Sequence, residues 1–413
     1  MDLYLYNSLT KKKEPFGSAQ GRPIKLYTCG PTVYDYAHIG HGRKFLMDDI
    51  LRRTLEFNGY KVNHVQNVTD VGHLVSDADD GEDKLEKGAK KQGKTVWEVA
   101  EYFTKSFYES MDALNFLRPT IICKATDHIK EQIKLIEKLF ENGYAYDTEE
   151  AVYFNVSKFT DYGKMLGQKI SEKRIAVRDE VKTDPNKRNN ADFALWFKRV
   201  GSFVNHTMHW ESPWGDGFPG WHIECSAMSM KYLGEQIDIH TGGEDHLSIH
   251  HPNEIAQSEG ATGKKPFSKF WIHSAFLTVD GTKMSKSLGN FYTISDIVKR
   301  GFDPLALRYL YLGAHYKKPM NFTWQALDGA SKGLKRLQQT VYSLQTTART
   351  ILSEEKNNKI LEFRDKFNQA INDDLNTSKA MAVMFEVLKS NIPSRDKYDL
   401  AVSFDEVLGL NLK

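Results

Sequence analysis

Two short runs, far apart in the chain, constrain its fold more than any other feature: His38-Ile39-Gly40-His41 and Lys283-Met284-Ser285-Lys286-Ser287. The first follows an apolar run, Ile24 to Thr28, that reads as a strand. It opens a stretch in which Phe45, Ile50, Leu51 and Leu55 recur at helical spacing. Asn58-Gly59 ends that helix, and Lys61 to Val68 reads as the next strand, so the segment is one βαβ unit. The second run follows a strand-like stretch, Phe270 to Val279, and a turn at Asp280-Gly281. Open parallel sheets bind nucleotides at the carboxyl ends of their strands, where the strand order reverses. Both runs stand at such ends, and together they read as two sides of one ATP site on an α/β fold.

The rest of the chain is organised around that unit. At 413 residues it is long enough for two or three domains, and its 40% hydrophobic and 27% charged residues are ordinary for a soluble protein. A net charge of +2 neither demands nor excludes nucleic acid. No secretory signal is expected at Met1 to Asn7, no apolar run is long enough to span a bilayer, and three scattered cysteines make no disulfide framework. A reduced, cytoplasmic setting is expected. Asp70 to Lys94 reads as a charged, solvated loop leading to a helix near Thr95 to Tyr108. Its Asp77, Asp79 and Asp80 miss the spacing of a calcium loop. Asp127 to Tyr144 reads as an amphipathic helix, Val152 to Phe154 and Phe193 to Phe197 as apolar segments, and Ser157 to Asn190 as a polar insertion. A helix is expected near Trp221 to Leu233 and a strand at Gln236 to His240. After Pro319 the pattern becomes helical. Leu334, Leu337, Val341 and Leu344 mark one helix, Phe363, Phe367, Ala370 and Ile371 a second, and Met381, Met384, Phe385 and Leu388 a third, capped by Asn376 or Thr377.

His250 and Glu254, four apart in an expected helix, face one way. With Cys29, at the end of the first strand, and Cys225 they offer the donor types that zinc takes. A His/Glu pair is also an ordinary surface contact and a lone cysteine an ordinary core residue, so residue spacing leaves both readings open. Cys123 has no comparable neighbours and reads as core.

Four blocks in order bring a resemblance. Thr28-Cys29-Gly30-Pro31-Thr32-Val33-Tyr34-Asp35 with Ala37 to His41, Gly220-Trp221-His222-Ile223-Glu224-Cys225-Ser226-Ala227-Met228, His250-His251 with Asn253 to Ser258, and Lys283 to Asn290 resemble the motifs of cysteinyl-tRNA synthetases. The resemblance runs from near the start to about Leu410. It implies a Rossmann-type parallel-sheet catalytic domain with an inserted connective segment, followed by an α-helical bundle. The expected boundaries are 1–120 and 216–290 for the two halves of the catalytic domain, 121–215 for the insertion, 291–325 for a stem-contact region and 326–413 for the bundle. It further implies one Zn2+ per chain on Cys29, Cys225, His250 and Glu254. ATP, with Mg2+, would lie against Gly30, Pro31, His38, Gly40, His41, Lys283 and Lys286. Thr69, Trp221, His240 and Asp245 would contact the amino acid. Asn67-Val68-Thr69-Asp70-Val71-Gly72-His73 departs from the family wording after Asp70, and Pro252 stands where the family has an acid. The family's small mixed anticodon-binding domain would follow the bundle, and the sequence ends at Lys413.

The reaction implied is ATP-dependent activation of L-cysteine to cysteinyl-adenylate and its transfer to tRNA-Cys by a monomer. An ionised carboxylate needs no protein base, so catalysis reduces to positioning and to stabilising phosphate charge, with His38, His41, Lys283 and Lys286 as the catalytic groups. Zinc prefers a thiolate to a hydroxyl, which would separate cysteine from serine without an editing domain. Lys332, Lys335, Arg336 and Arg349 could meet the tRNA backbone. Two alternatives differ in the acceptor: a ligase passing the adenylate to an amino sugar, as in mycothiol synthesis, and a non-catalytic tRNA-binding paralogue.

Overall fold

The computed structural model describes residues 2–17, 21–72, 74–76, 80–165, 186–349 and 351–413. Five parallel strands form the central sheet, in the order Ser268–Ser274, Ile237–Gly243, Ile24–Thr28, Val62–Val68, Ile121–Lys124. The first strand of this sheet in chain order, Ile24–Thr28, lies in the middle, with the second and third on one side and the fourth and fifth on the other. The winding therefore reverses between Ile24–Thr28 and Ile237–Gly243, which opens a crevice at their carboxyl ends. Helices on both faces bury these strands, and their apolar runs are nearly continuous, as a doubly covered parallel sheet requires.

In chain order the helices are α1 (Ile39–Phe57), α2 (Lys84–Gln92), α3 (Val96–Ala113), α4 (Ile129–Glu141), α5 (Trp221–Leu233) and α6 (His250–Thr262). They continue as α7 (Ile294–Lys299), α8 (Pro304–Leu312), α9 (Trp324–Leu344), α10 (Glu354–Asn372), α11 (Thr377–Lys389) and α12 (Ser394–Leu408). A separate antiparallel sheet, Gly217–Pro219, Phe193–Lys198, Ala151–Phe154, Ala145–Asp147, rises from the insertion. A third, small sheet of Thr282–Lys283, Leu277–Val279 and Met320–Phe322 carries the lysine run.

Several expectations need correction. Ile121–Lys124 was expected to open the insertion, but it is hydrogen-bonded to Val62–Val68 as the edge of the central sheet. Gly217–Pro219 was expected in the second catalytic half, but it pairs with Phe193–Lys198 in the insertion sheet. The run Phe270 to Val279 is two strands, because the chain leaves one sheet for another at Ala275-Phe276. Asp70 to Lys94 is not a plain loop. Leu74–Ser76 and Asp80–Asp83 pair as a hairpin, and Asp83 then caps α2 by accepting from the backbone N–H of Leu85 and Glu86. Leu85 and Ala89, four apart, are the apolar stripe of α2, hidden in the sequence by lysines. The acids Asp77 and Asp79 lie outside the described residues, as does 166–185 of the polar insertion. The apolar residues singled out for three bundle helices lie on α9, α10 and α11, Asn376 caps the last of these by accepting from Lys379 N–H, and α12, beginning after Pro393, is a fourth that the apolar pattern did not delimit.

The bundle is welded to the catalytic domain. Phe57 of α1 meets Phe367 of α10 edge-on, and Phe367 stacks on Phe404 of α12 at 3.9 Å. Beside them Arg308 of α8 is wholly buried. It donates to Asp49 of α1 at 2.6 Å, to Leu408 O at 2.7 Å and to Leu114 O at 3.0 Å. Truncating one partner of such a pair leaves a buried carboxylate short of its counter-charge. Arg308→Met should lower the denaturant midpoint by an amount worth about 3 kcal/mol. An unchanged midpoint would show that Arg53 alone satisfies Asp49.

His64, buried in the Val62–Val68 strand, shares a 2.9 Å hydrogen bond with Thr28 Oγ1. Burial, aided by Arg52 and Lys44, holds its pKa down to about 3. Below an unfolded value of about 6.5 the unfolded chain takes up a proton that the folded one refuses, so stability is present above that pH and drains away below it. Relative to His64→Gln, the wild type should lose stability as the pH falls from about 7 to about 4. Parallel melting curves over that range would contradict a neutral buried imidazole.

Candidate active site and metal centre

The crevice is lined first by the start of α1. His38 is its N-cap, and the two histidines are locked together. His41 N–H donates to His38 Nδ1 at 3.2 Å, and His38 N–H donates to His41 Nδ1 at 3.3 Å. The rings stack at 3.6 Å. Because each Nδ1 accepts a backbone hydrogen bond, each neutral ring carries its proton on Nε2, where it can be donated outward. Burial holds the His38 pKa at about 4 even though Asp35 favours its charged form, so its ring is neutral at physiological pH. The helix start adds the positive end of its dipole, a setting suited to phosphate.

The lysine run lies against the same place. Lys286 is ion-paired with Asp35. A Cβ on Gly40 would stand 2.9 Å from Met284 Cε and 2.9 Å from the His38 ring, so only glycine lets the run approach so closely. Asn290 shapes it, accepting from Ser285 N–H at 2.8 Å and donating to Lys283 O at 3.2 Å. Gly281 and Gly289 have φ of 77° and 68°, left-handed values that turns require. Lys283 is exposed on its short strand.

Deeper in the crevice, Cys29 follows the central strand, Cys225 lies on α5, and His250 and Glu254 lie one turn apart on α6. One donor atom from each lies within 4.8 Å of the others, and all four residues are buried. A second group shares two of them: Cys29, His240, His251 and Glu254. Glu254 lies between two imidazoles, 2.9 Å from His250 Nε2 and 2.8 Å from His240 Nε2. Burial opposes a charge on His250, but Glu254 and Cys29 outweigh it and raise its pKa to about 10. Burial likewise opposes the Cys29 thiolate, and contacts with Cys225, His240 and His251 outweigh it and drive the pKa well down. Cys225 moves up, from burial and from the charge on Cys29. The pocket thus gathers anionic donors that call for a cation, and two sulfurs, one imidazole and one carboxylate suit a four-coordinate metal. Cys123 lies apart, and burial pushes its thiol up to about 12.

The residues expected to meet the amino acid are distributed unevenly. Thr69 is buried at the edge of the pocket, donating to Glu224 Oε2 at 2.8 Å. Its backbone is hydrogen-bonded to Pro31 O and to Val33 N–H. Trp221 stacks on the His250 ring at 4.2 Å and forms a wall. His240 is wholly buried against Glu254, inside the second donor group rather than on an open wall. Asp245 stands on the short turn Glu244–Leu247 with its side chain 61% exposed. Gly30 donates its N–H to Asn67 Oδ1 at 2.8 Å.

Sequence reasoning missed four members. Glu224, beside Cys225, anchors Thr69, and burial raises its pKa to about 8. His251 completes the second donor group and hydrogen-bonds His273 at 2.7 Å. Asp35 holds Lys286. Lys44 of α1 donates to Cys29 O at 2.5 Å and pairs with Asp48 at 2.7 Å. Each stands beside or within one helical turn of a residue already singled out, which was the available signal.

Known proteins resemble this chain in sequence and in fold. The family described as tRNA synthetases class I (C) catalytic domain matches residues 15–332, and the DALR domain matches 366–391. Cysteine--tRNA ligase of Treponema denticola is 45% identical over 430 aligned positions, covering 100% of this chain and 87% of the relative. Cysteine--tRNA ligase 1 of Burkholderia lata is 46% identical, covering 100% and 85%. Among solved structures, methionyl-tRNA synthetase of Mycobacterium tuberculosis with methionyl-adenylate superposes at a TM-score of 0.64 with 14% identity, over 94% of this chain and 90% of that one. At that identity the likeness is one of fold.

A Cβ on Gly30 would fall 1.7 Å from Asn67 O, a backbone atom that cannot swing away. Gly30→Ala must therefore force neighbouring central strands away from each other beside Cys29. It should lower the thermal midpoint and lose bound metal on dialysis, and a protein melting like wild type with metal retained would refute this packing.

Proposed function

The chain belongs to the cysteine--tRNA ligases, class I aminoacyl-tRNA synthetases, and from that premise we propose which of its residues perform each step of the reaction. The enzyme joins L-cysteine to tRNA-Cys at the expense of ATP. The observation that carries the residue assignment is the convergence of Cys29, Cys225, His250 and Glu254 in the same crevice as the stacked histidines of α1.

In the first step a cysteine carboxylate oxygen attacks the α-phosphorus of ATP. A P–O bond forms, the bond to the bridging oxygen breaks, and pyrophosphate leaves with its electrons. No proton moves, so the protein supplies position and charge. His38 and His41, held as Nε2–H tautomers by their reciprocal caps, donate to the triphosphate. Lys286 exchanges Asp35 for the pyrophosphate oxygens, and Lys283 adds a second positive charge. Both act most strongly when charge accumulates on the leaving group. Gly30, Pro31 and Gly40 keep the approach free of bulky side chains.

Thr69, fixed through its backbone and by Glu224, contacts the amino end of cysteine, with Trp221 closing the pocket and Asp245 at its rim. His240 takes a supporting role, holding Glu254 rather than touching substrate. Cys29, Cys225, His250 and Glu254 would hold one zinc ion, which when bound favours a thiolate over a hydroxyl. In the second step the adenosine hydroxyl at the tRNA end attacks the cysteinyl carbonyl, and AMP leaves. We place the reaction in the cytoplasm, where the three unpaired thiols stay reduced.

The test is cysteine-dependent pyrophosphate exchange and charging of tRNA-Cys, with metal analysis on the same protein. Wild type should hold about one zinc per chain, as a single four-ligand site requires. Cys225→Ala should lose the metal and weaken cysteine binding while ATP binding persists. Full zinc content and cysteine affinity in that variant would overturn the ligand assignment, and absence of exchange by the zinc-loaded wild type would overturn the activity.

A further inference from the structure

None of the residues assigned above to cysteine activation lies in the charged segment before α3. Residues 84–94 hold five lysines and one glutamate. That glutamate, Glu86, is occupied: its Oε1 accepts from Thr207 N–H at 2.6 Å. Lys87, Lys90 and Lys94 are exposed. The helix is not remote from the active site. Gly88 lies with its Cβ position 3.6 Å from Tyr34 O, so α2 rests on the stretch Tyr34-Asp35-Tyr36 that leads into His38.

An aromatic surface adjoins the lysines. Tyr36 and Tyr102 are 42% and 43% exposed, unusually open for large rings, yet they are held rigidly. Their hydroxyls are 2.7 Å apart, and Tyr36 packs edge-on against Phe103 at 5.0 Å. Lys94 Nζ lies 4.8 Å from the Tyr102 ring centre. Of the acids beside Tyr102 on α3, Glu98 is held by the Thr95 N–H and hydroxyl, and Glu101 stands exposed.

Rigid open rings beside a run of lysines form the combination that binds unpaired nucleotides, the rings by stacking and the lysines by attracting phosphate. We propose that α2 and the Tyr36–Tyr102 pair receive the single-stranded 3′ end of tRNA-Cys and guide its terminal adenosine to the adenylate. Position commits the surface to that occupant. Tyr36 directly follows Asp35, which holds Lys286, and stands two residues before His38, so nucleotides stacked here lie beside the mouth of the crevice. The proposal rests on tRNA-Cys being the acceptor.

The two half-reactions separate this role from a structural one. Tyr102→Ala and the pair Lys90→Glu, Lys94→Glu should keep cysteine-dependent pyrophosphate exchange, which needs no tRNA. They should lower kcat/KM for tRNA-Cys in charging by about tenfold, the scale of one lost base stack. Tyr102→Phe, which keeps the ring and loses the hydroxyl, should charge nearly as wild type. The double lysine variant should also show a shallower salt dependence of the tRNA KM, by about 0.7 in log–log slope for each phosphate no longer neutralised. Variants that charge tRNA like wild type, or that lose exchange and charging together, overturn the proposal. A wild type that exchanges pyrophosphate but charges no tRNA-Cys overturns the ligase reading along with it.

Discussion

Two adjacent carboxylates on α1, Asp48 and Asp49, hold the enzyme together. Asp48 accepts from Lys44 and, at 2.6 Å, from Thr241 of the neighbouring strand, while Lys44 also donates to Cys29 O. Asp49 accepts from Arg53, Arg308 and the Leu117 N–H. Both acids are buried, where an unpaired charge would be costly, so their partners must stay in place. One side of α1 thereby fixes the floor of the crevice, the other fixes the bundle, and its N-terminus presents the two histidines. The stacked histidines, the strand that ends at Cys29 and the C-terminal helices are referred to one helix.

The metal pocket shows the same dependence on compensation. Glu254 is wholly buried between two imidazoles, and Cys29 is inclined to ionise beside them. Without a metal, a proton on His250 serves as the counter-charge, which is why its pKa rises rather than falling as burial alone would demand. A divalent ion would replace that proton and leave the imidazole neutral, as a ligand must be. His240 and His251 extend the donor shell, and His251 is steadied by His273, which in turn meets Ser8 Oγ at 2.8 Å. Such outer contacts set the orientation of the inner ones.

Much of this was legible in the sequence, and the failures share a cause. Periodicity located α4 and the first three bundle helices, because each buries one stripe against a core and leaves the other face wet. The motif residues come together because they occupy strand ends and helix starts at a single reversal of strand order. What periodicity cannot express is partnership between distant segments. Ile121–Lys124 is too short to reveal that it edges the central sheet, and only pairing with Val62–Val68 defines it. Helix α2 has two buried apolar residues among four lysines, and a burial stripe so narrow looks like a solvated loop. The resemblance puts His240 against the amino acid, and its 2.8 Å contact with Glu254 depends on the approach of α6, which no local pattern expresses.

The ten residues from Cys29 to His38 carry an unusual density of duties, and their geometry explains why they tolerate so little bulk. Cys29 faces the metal pocket, Pro31 and Val33 clamp the backbone of Thr69, Asp35 holds Lys286, Tyr36 builds the outer surface, and His38 begins the helix. A stretch this short reaches all of those places only if it lies close to its neighbours, and Gly30 is where it comes closest, with a backbone oxygen inside the volume of a Cβ. The same stretch joins the amino-acid side of the crevice to the nucleotide side. A shift that misplaced Thr69 would therefore misplace Lys286 as well, so in the proposed reaction the cysteine and pyrophosphate contacts would be coupled through one short piece of backbone.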